Sequence, residues 1–96
     1  MPKVIKAKPI PALAGWLLCE FDNQEKLFVD IRPSITGTLE ILDDPEIFKQ
    51  VYVDHDAGTV AWPGDLHIDS DTLYKEGIQI EDIKNLVESA KNEGNG

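Results

Sequence analysis

Residues 16–31 read WLLCEFDNQEKLFVDI, and their spacing decides the fold class. Leu17, Cys19 and Phe21 alternate with Trp16, Leu18 and Glu20, the period of two by which a strand sends side chains to opposite faces. Asp22-Asn23-Gln24-Glu25 supplies turn chemistry, because short polar side chains tolerate the backbone angles a reversal needs. The chain then returns as Lys26 to Ile31, with Leu27, Val29 and Ile31 on one face. The stretch therefore predicts an antiparallel hairpin, Leu17, Cys19, Leu27 and Val29 facing a core.

Outward toward the C-terminus, Arg32-Pro33 ends the second strand and Gly37 falls in a loop. Asp44-Pro45 starts a short helix over 45–49: Asp accepts orphan backbone N–H groups, and the φ of Pro is preset for the first helical position. Strands follow at 51–54 and 59–62, joined by His55-Asp56-Ala57-Gly58 with Gly58 at a positive-φ position. A brief extension at 66–68 precedes Asp69, read as an N-cap, and a helical turn over 70–75 closed by Gly77. Ile80, Ile83, Leu86, Val87 and Ala90 then recur at helical spacing, predicting an amphipathic helix over 80–91. Toward the N-terminus, 3–7 reads as a short basic strand, and Pro9 and Pro11 end its pairing. The expectation is one α+β domain over 1–91: a small antiparallel sheet built from hairpins, two short helical turns, and a C-terminal helix packed on one face. Residues 92–96 read as a frayed polar tail.

The balance of charge narrows the class of partner. Eighteen acidic residues against nine basic ones give a net charge of −9 in 96 residues. Nucleic-acid binders cluster Lys and Arg to displace counterions, whereas this chain has one arginine, Arg32, and one local basic cluster, Lys3, Lys6 and Lys8. Direct nucleic-acid binding is therefore not expected, and a basic protein partner suits the charge better. No apolar run approaches the roughly 18 residues of a membrane span. The apolar stretch before Cys19 is broken by Pro9 and Pro11, and Leu18 stands where a lipoprotein signal needs a small residue. The single cysteine suits a reducing compartment, and the expected location is cytoplasmic.

Candidate chemistry is sparse. Asp65, His67 and Asp69 stand at alternate positions, so an extended backbone would project them from one face as ligands for a divalent metal such as Zn²⁺ or Mn²⁺. The competing assignment makes Asp69 a helix cap and His67 a solvent-facing residue. Asp54, Asp56 and Asp65 mimic three positions of a calcium loop, but Gly58 comes one position early and Val60 stands where the backbone ligand should be. Cys19 sits mid-strand among core residues, and no nucleophile elbow or phosphate-binding glycine loop occurs. No catalytic residues and no cofactor are assigned. Trp16, Leu18 and Phe28, opposite the core face of the hairpin, form a candidate apolar interaction surface. Trp62 is a further candidate as an interface anchor, with core packing beside the last helix as its alternative.

The runs Phe21-Asp22-Asn23-Gln24-Glu25, Val29-Asp30-Ile31-Arg32-Pro33 and Leu42-Asp43-Asp44-Pro45-Glu46-Ile47-Phe48 resemble the domain of unknown function 2442 family. The resemblance strengthens over VYVDHDAGTVAWPGDLHIDSDTLY, residues 51–74, and covers about three-quarters of the chain. The family pattern has a strand ending in Val-Asp, a Gly-Thr-Val/Ile-x-Trp-Pro strand and a closing Asp-Pro-Asp-x-Leu-Tyr. Here Asn23 replaces a frequent turn glycine, and Asp69-Ser70 replaces Asp-Pro. The resemblance implies a small bacterial or phage-type α+β module. Some such modules carry a helix-turn-helix, which is not expected in these residues, and others occur beside partner proteins in toxin–antitoxin-like arrangements. Asp30, Trp62, Asp69, Leu73 and Tyr74 match its pattern without bringing catalytic roles. The leading functional expectation is a non-enzymatic interaction or regulatory module, the accessory or antitoxin-like member of a pair. A metal-dependent small-molecule enzyme or sensor, and a self-assembling homo-oligomeric structural domain, are the alternatives.

Overall fold

A computed structural model describes residues 2–79. The helix expected over 80–91 and the tail at 92–96 lie outside the described residues. The fold is α+β with two antiparallel sheets. Strands β1 (Val4–Pro9), β2 (Trp16–Phe21) and β3 (Lys26–Asp30) are followed by helix α1 (Pro45–Phe48), strands β4 (Tyr52–Asp54), β5 (Thr59–Trp62) and β6 (Leu66–Ile68), helix α2 (Ser70–Glu76) and strand β7 (Ile78–Gln79). One sheet has the order β1-β2-β3-β7 and the other β4-β5-β6.

The first hairpin forms as the alternation requires. Leu17 pairs with Val29 and Cys19 with Leu27, and all four side chains are buried. The other face carries Leu18 opposite Phe28, and Glu20 opposite Lys26 with an ion pair of 3.1 Å. Asn23 Oδ1 accepts a hydrogen bond from the Glu25 backbone N–H at 3.0 Å, an Asx turn. The left-handed residue of this turn is Gln24, at φ 74°, rather than the asparagine before it.

Three expectations need correction. Strand β1 runs on to Pro9, which pairs with Leu17. Proline is tolerated because β1 is the edge of its sheet and needs no donor toward a further strand. An irregularity between Val4 and Lys6 leaves Ile5 out of register and exposed. The loop around Gly37 is a 3₁₀ segment, Gly37–Asp43, that buries Leu42. One expected sheet is two, with β7 as an additional edge strand against β3.

The inner faces of the two sheets share one core. Val4, Leu17, Cys19, Phe21, Leu27 and Val29 meet Val60, Trp62 and Ile68, with Leu42, Phe48 and Leu73 added by the helical segments. Cys19 shows why this interior is inert: burial pushes its thiol pKa up to about 12, so the reactive thiolate is suppressed. Asp44 caps α1 as expected, accepting from the Glu46 N–H at 2.9 Å. Asp69 occupies the N-cap position of α2, but its side chain makes no capping bond. Tyr74 of α2 packs edge-on against Phe21 at 5.2 Å between ring centroids, fixing α2 to the first hairpin.

Gly77 ends α2 with φ −71°, so it is not a left-handed cap. Its role is spatial: a Cβ there would lie 2.5 Å from Leu27 Cδ1. The absence of a side chain lets the chain pass α2 and enter β7 in contact with the buried core strand.

Candidate functional site

The pairing in the second sheet aligns Tyr52 with Ala61, and Ala61 with His67. These three positions form a row across its outer face, because directly opposed residues in antiparallel strands share a side. The row is large, small, large. Ala61 is buried as a floor, while Tyr52 and His67 are exposed on either side. Thr59, one pair further along on the same face, is also buried, its hydroxyl donating to the Ile68 carbonyl. Small residues on the central strand between bulkier neighbours leave a groove of about 460 Å³.

Carboxylates frame this groove. Asp54 at the end of β4, Asp65 before β6, and Asp69 and Asp71 at the start of α2 all line it. Asp54 has a structural duty as well, since Oδ1 accepts the N–H groups of Asp56 and Ala57 at 3.1 and 3.2 Å and shapes the β4–β5 turn. The described ion pairs engage Glu20, Asp30 and Glu46, none of which lines the groove. The site therefore offers negative charge at its rim, an aromatic wall and an apolar floor. That combination suits the alkyl stem and cationic head of a lysine or arginine, since stems cover apolar surface while the charge stays polar. An aromatic face adds attraction for a cation.

The sequence-derived metal set does not assemble. Asp65 precedes β6 with φ 62°, in the left-handed region, so the extended alternation that would align it with His67 and Asp69 is broken. No group of three His, Cys, Asp or Glu side chains is placed to hold a metal among the described residues. His67 takes its place as a groove wall instead.

The candidate interaction residues separate into two groups. Leu18 stands opposite Phe28, and Trp16, two residues from Leu18, lies on the same outer face; all three are half-buried. Trp62 does not join them. It is fully buried, packed on Phe48 at 6.1 Å between centroids, and its Nε1–H donates to the Phe48 carbonyl at 2.9 Å. An indole so enclosed is a core element and presents no surface to a partner.

Tyr52, Ala61, Ser70 and Asp71 were not singled out by sequence reasoning as a site, Asp54 entered only as a calcium-loop position, and one signal could have found the groove. In the hairpin 51–62, a four-residue connection fixes the register, and that register sets Ala61 beside Tyr52. A small residue in the centre of a β-branched strand marks a place where side chains leave room.

A second groove, about 570 Å³, lies where β1 and β2 meet β4, and Lys6, Lys8 and His55 are among its lining residues with Leu18 and Tyr52. Glu20 lines it too, paired with Lys6 at 3.9 Å, so Tyr52 stands between an acidic groove and one of mixed charge. No helix among the described residues is long and apolar enough to cross a membrane.

The family model for "Protein of unknown function (DUF2442)" matches residues 4–79, from the first residue of β1 to the last of β7. Neither a curated protein nor a solved structure matches the chain. The chain belongs to the DUF2442 family.

Proposed function

We propose that this DUF2442-family domain is a non-enzymatic interaction module whose partner is a basic protein, engaged through the groove on the outer face of β4-β5-β6. The observation that carries this reading is the Tyr52–Ala61–His67 row with Asp54, Asp65, Asp69 and Asp71 around it. A lysine or arginine entering the groove would lay its stem over Ala61 and bring its cation to the carboxylates. A polyanion would meet the same carboxylates with like charge, which favours protein over nucleic acid as the partner.

The net charge of −9 adds a kinetic consequence. Electrostatic steering raises association rates and is screened by salt, with a Debye length of about 8 Å at physiological ionic strength. A domain of this kind acts as the accessory member of a pair, of which an antitoxin-like role is one form. The free, buried Cys19 suits a reducing cytoplasm as its setting.

The test is an NMR titration of the full chain with a lysine- and arginine-rich peptide, beside an acidic peptide of equal length. The reading expects shifts concentrated at Tyr52, Ala61, His67 and Asp69 with the basic peptide alone, weakening as salt rises. Shifts spread over the whole acidic surface, or equal responses to both peptides, would remove the groove as the recognition site.

A further inference from the structure

The groove has one side that the described residues leave open. Of the two edges of β4-β5-β6, that of β4 lies against β1, and the Val4 N–H donates to the Gly58 carbonyl in the β4–β5 turn at 2.9 Å. No strand stands beside β6 among the described residues. The Thr59 hydroxyl, on β5, donates to the Ile68 carbonyl, so that carbonyl faces β5. The N–H and C=O of one strand residue point to the same side, and the side alternates along the strand. Leu66 and Ile68 therefore turn their backbone groups toward β5, and His67 turns both of its own to the open edge.

Charge runs along the same edge. Asp65 precedes His67 by two residues and Asp69 follows it by two, Asp69 still with extended backbone at φ −63° and ψ 146°. Both line the groove with His67, and Asp71 lines it beyond them. On the opposite face of β6, Leu66 is half-buried and Ile68 buried. A segment added to this edge meets carboxylates on one face and apolar side chains on the other. We propose, on the premise that the groove receives a basic partner, that the partner supplies an extended strand pairing antiparallel with β6. One of its residues exchanges both backbone hydrogen bonds with His67. Its basic side chains fall on the groove face beside Asp65, His67 and Asp69, and alternate with apolar ones beside Leu66 and Ile68.

Charge decides for this occupant over a second copy. Two β6 strands paired antiparallel about His67 would set Asp65 of each opposite Asp69 of the other, and like charges directly opposed are destabilising. Charged side chains at a sheet edge repel such self-pairing. The same carboxylates attract lysine or arginine at alternate positions of an added strand, about 6.8 Å apart along it and about 4.8 Å from β6. Main-chain bonds then supply affinity and the alternate side chains supply selectivity. The partner narrows from any basic protein to one that exposes a short segment alternating basic and apolar residues.

The experiment titrates the full chain with two capped octapeptides that alternate lysine and valine, one N-methylated on its valines and one on its lysines. In the antiparallel register the lysine N–H groups face β6 and the valine N–H groups face away, so only lysine methylation removes the donor to the His67 carbonyl. The valine-methylated peptide should bind, shift the Tyr52, Ala61 and His67 signals, and slow solvent exchange of the His67 amide. The lysine-methylated peptide should bind about tenfold more weakly or worse. Equal binding by both, with groove signals shifted and His67 amide exchange unchanged, would overturn the added strand while leaving the groove as the recognition site. Failure of either peptide to move the groove signals would overturn the added strand and the groove reading together.

Discussion

The indole N–H of Trp62 donates a buried 2.9 Å hydrogen bond to the backbone carbonyl of Phe48, and the two rings pack at 6.1 Å. This contact ties the central strand of the second sheet to helix α1. Trp62→Phe would leave that carbonyl only the longer hydrogen bond from the Val51 backbone N–H, at 3.3 Å, and a void beside Phe48. Each effect is destabilising, and together they should cost on the order of 3 kcal/mol. Urea denaturation followed by circular dichroism measures this as a lowered midpoint with an unchanged slope. A change below 1 kcal/mol would show that the contact does not anchor α1.

Gln24 holds φ 74° with a full side chain, a conformation that costs an ordinary residue about 1 kcal/mol or more. Gln24→Gly should therefore stabilise the domain by about 0.5–1 kcal/mol, less the added freedom glycine gives the unfolded chain. Gly58→Ala should do the opposite. Gly58 has φ 71°, and an added Cβ would stand 2.7 Å from the Lys3 side chain. Thermal melting of the two variants should move in opposite directions.

These turns show what was legible in the sequence and what was not. The strands β2, β3 and β5 and the Asp44-Pro45 helix start were readable because period-two alternation and cap chemistry are local. The turn 22–25 was legible as a turn, but its left-handed residue was not: Asn23 uses its side chain to bind the Glu25 N–H and passes the positive φ to Gln24. Partition into two sheets, and the strand Ile78–Gln79, depend on pairings between distant segments and left no local pattern. The left-handed backbone at Asp65 was equally hidden, because a strand-like alternation cannot reveal it. The groove was hidden because its floor, Ala61, is conspicuous only once its neighbours Tyr52 and His67 are known.

Cys19 links burial to pH. Its thiol pKa rises from an ordinary 9.0 to about 12 because burial disfavours the thiolate. Above pH 9 the unfolded chain loses this proton while the folded one keeps it, so the group's contribution falls as pH rises from 9.0 toward about 12. The slope is at most about 1.4 kcal/mol per pH unit. Denaturation midpoints of the unmodified chain and Cys19→Ala across this range should converge with rising pH. Iodoacetamide at pH 8 should modify the thiol only as the chain unfolds.

Asp30 and Arg32 form a two-pronged pair, Nε to Oδ1 and Nη2 to Oδ2, both at 2.8 Å. The Arg32 side-chain hydrogen bond is the main cause holding the Asp30 carboxyl below its ordinary value. Its stabilising contribution is present above the unfolded carboxyl pKa and is lost as pH falls through the lowered folded value. Solvent exposure of Arg32 screens the pair and keeps that contribution small. In Arg32→Gln, an NMR titration of the Asp30 carboxyl should show its midpoint moving upward. An unmoved midpoint would remove Arg32 as the cause.

The proposed role of the Tyr52–Ala61–His67 groove is to receive a basic partner. Its most direct test is a quantitative pull-down from the source cell's lysate, comparing the tagged full chain with Ala61→Leu, whose larger side chain fills the groove floor. Circular dichroism of the variant establishes that its fold is retained. One basic protein should be retained stoichiometrically by the unmodified chain, released at raised salt, and lost from Ala61→Leu. Retention of that protein equally by both chains, or retention of no basic protein at low salt, would contradict it.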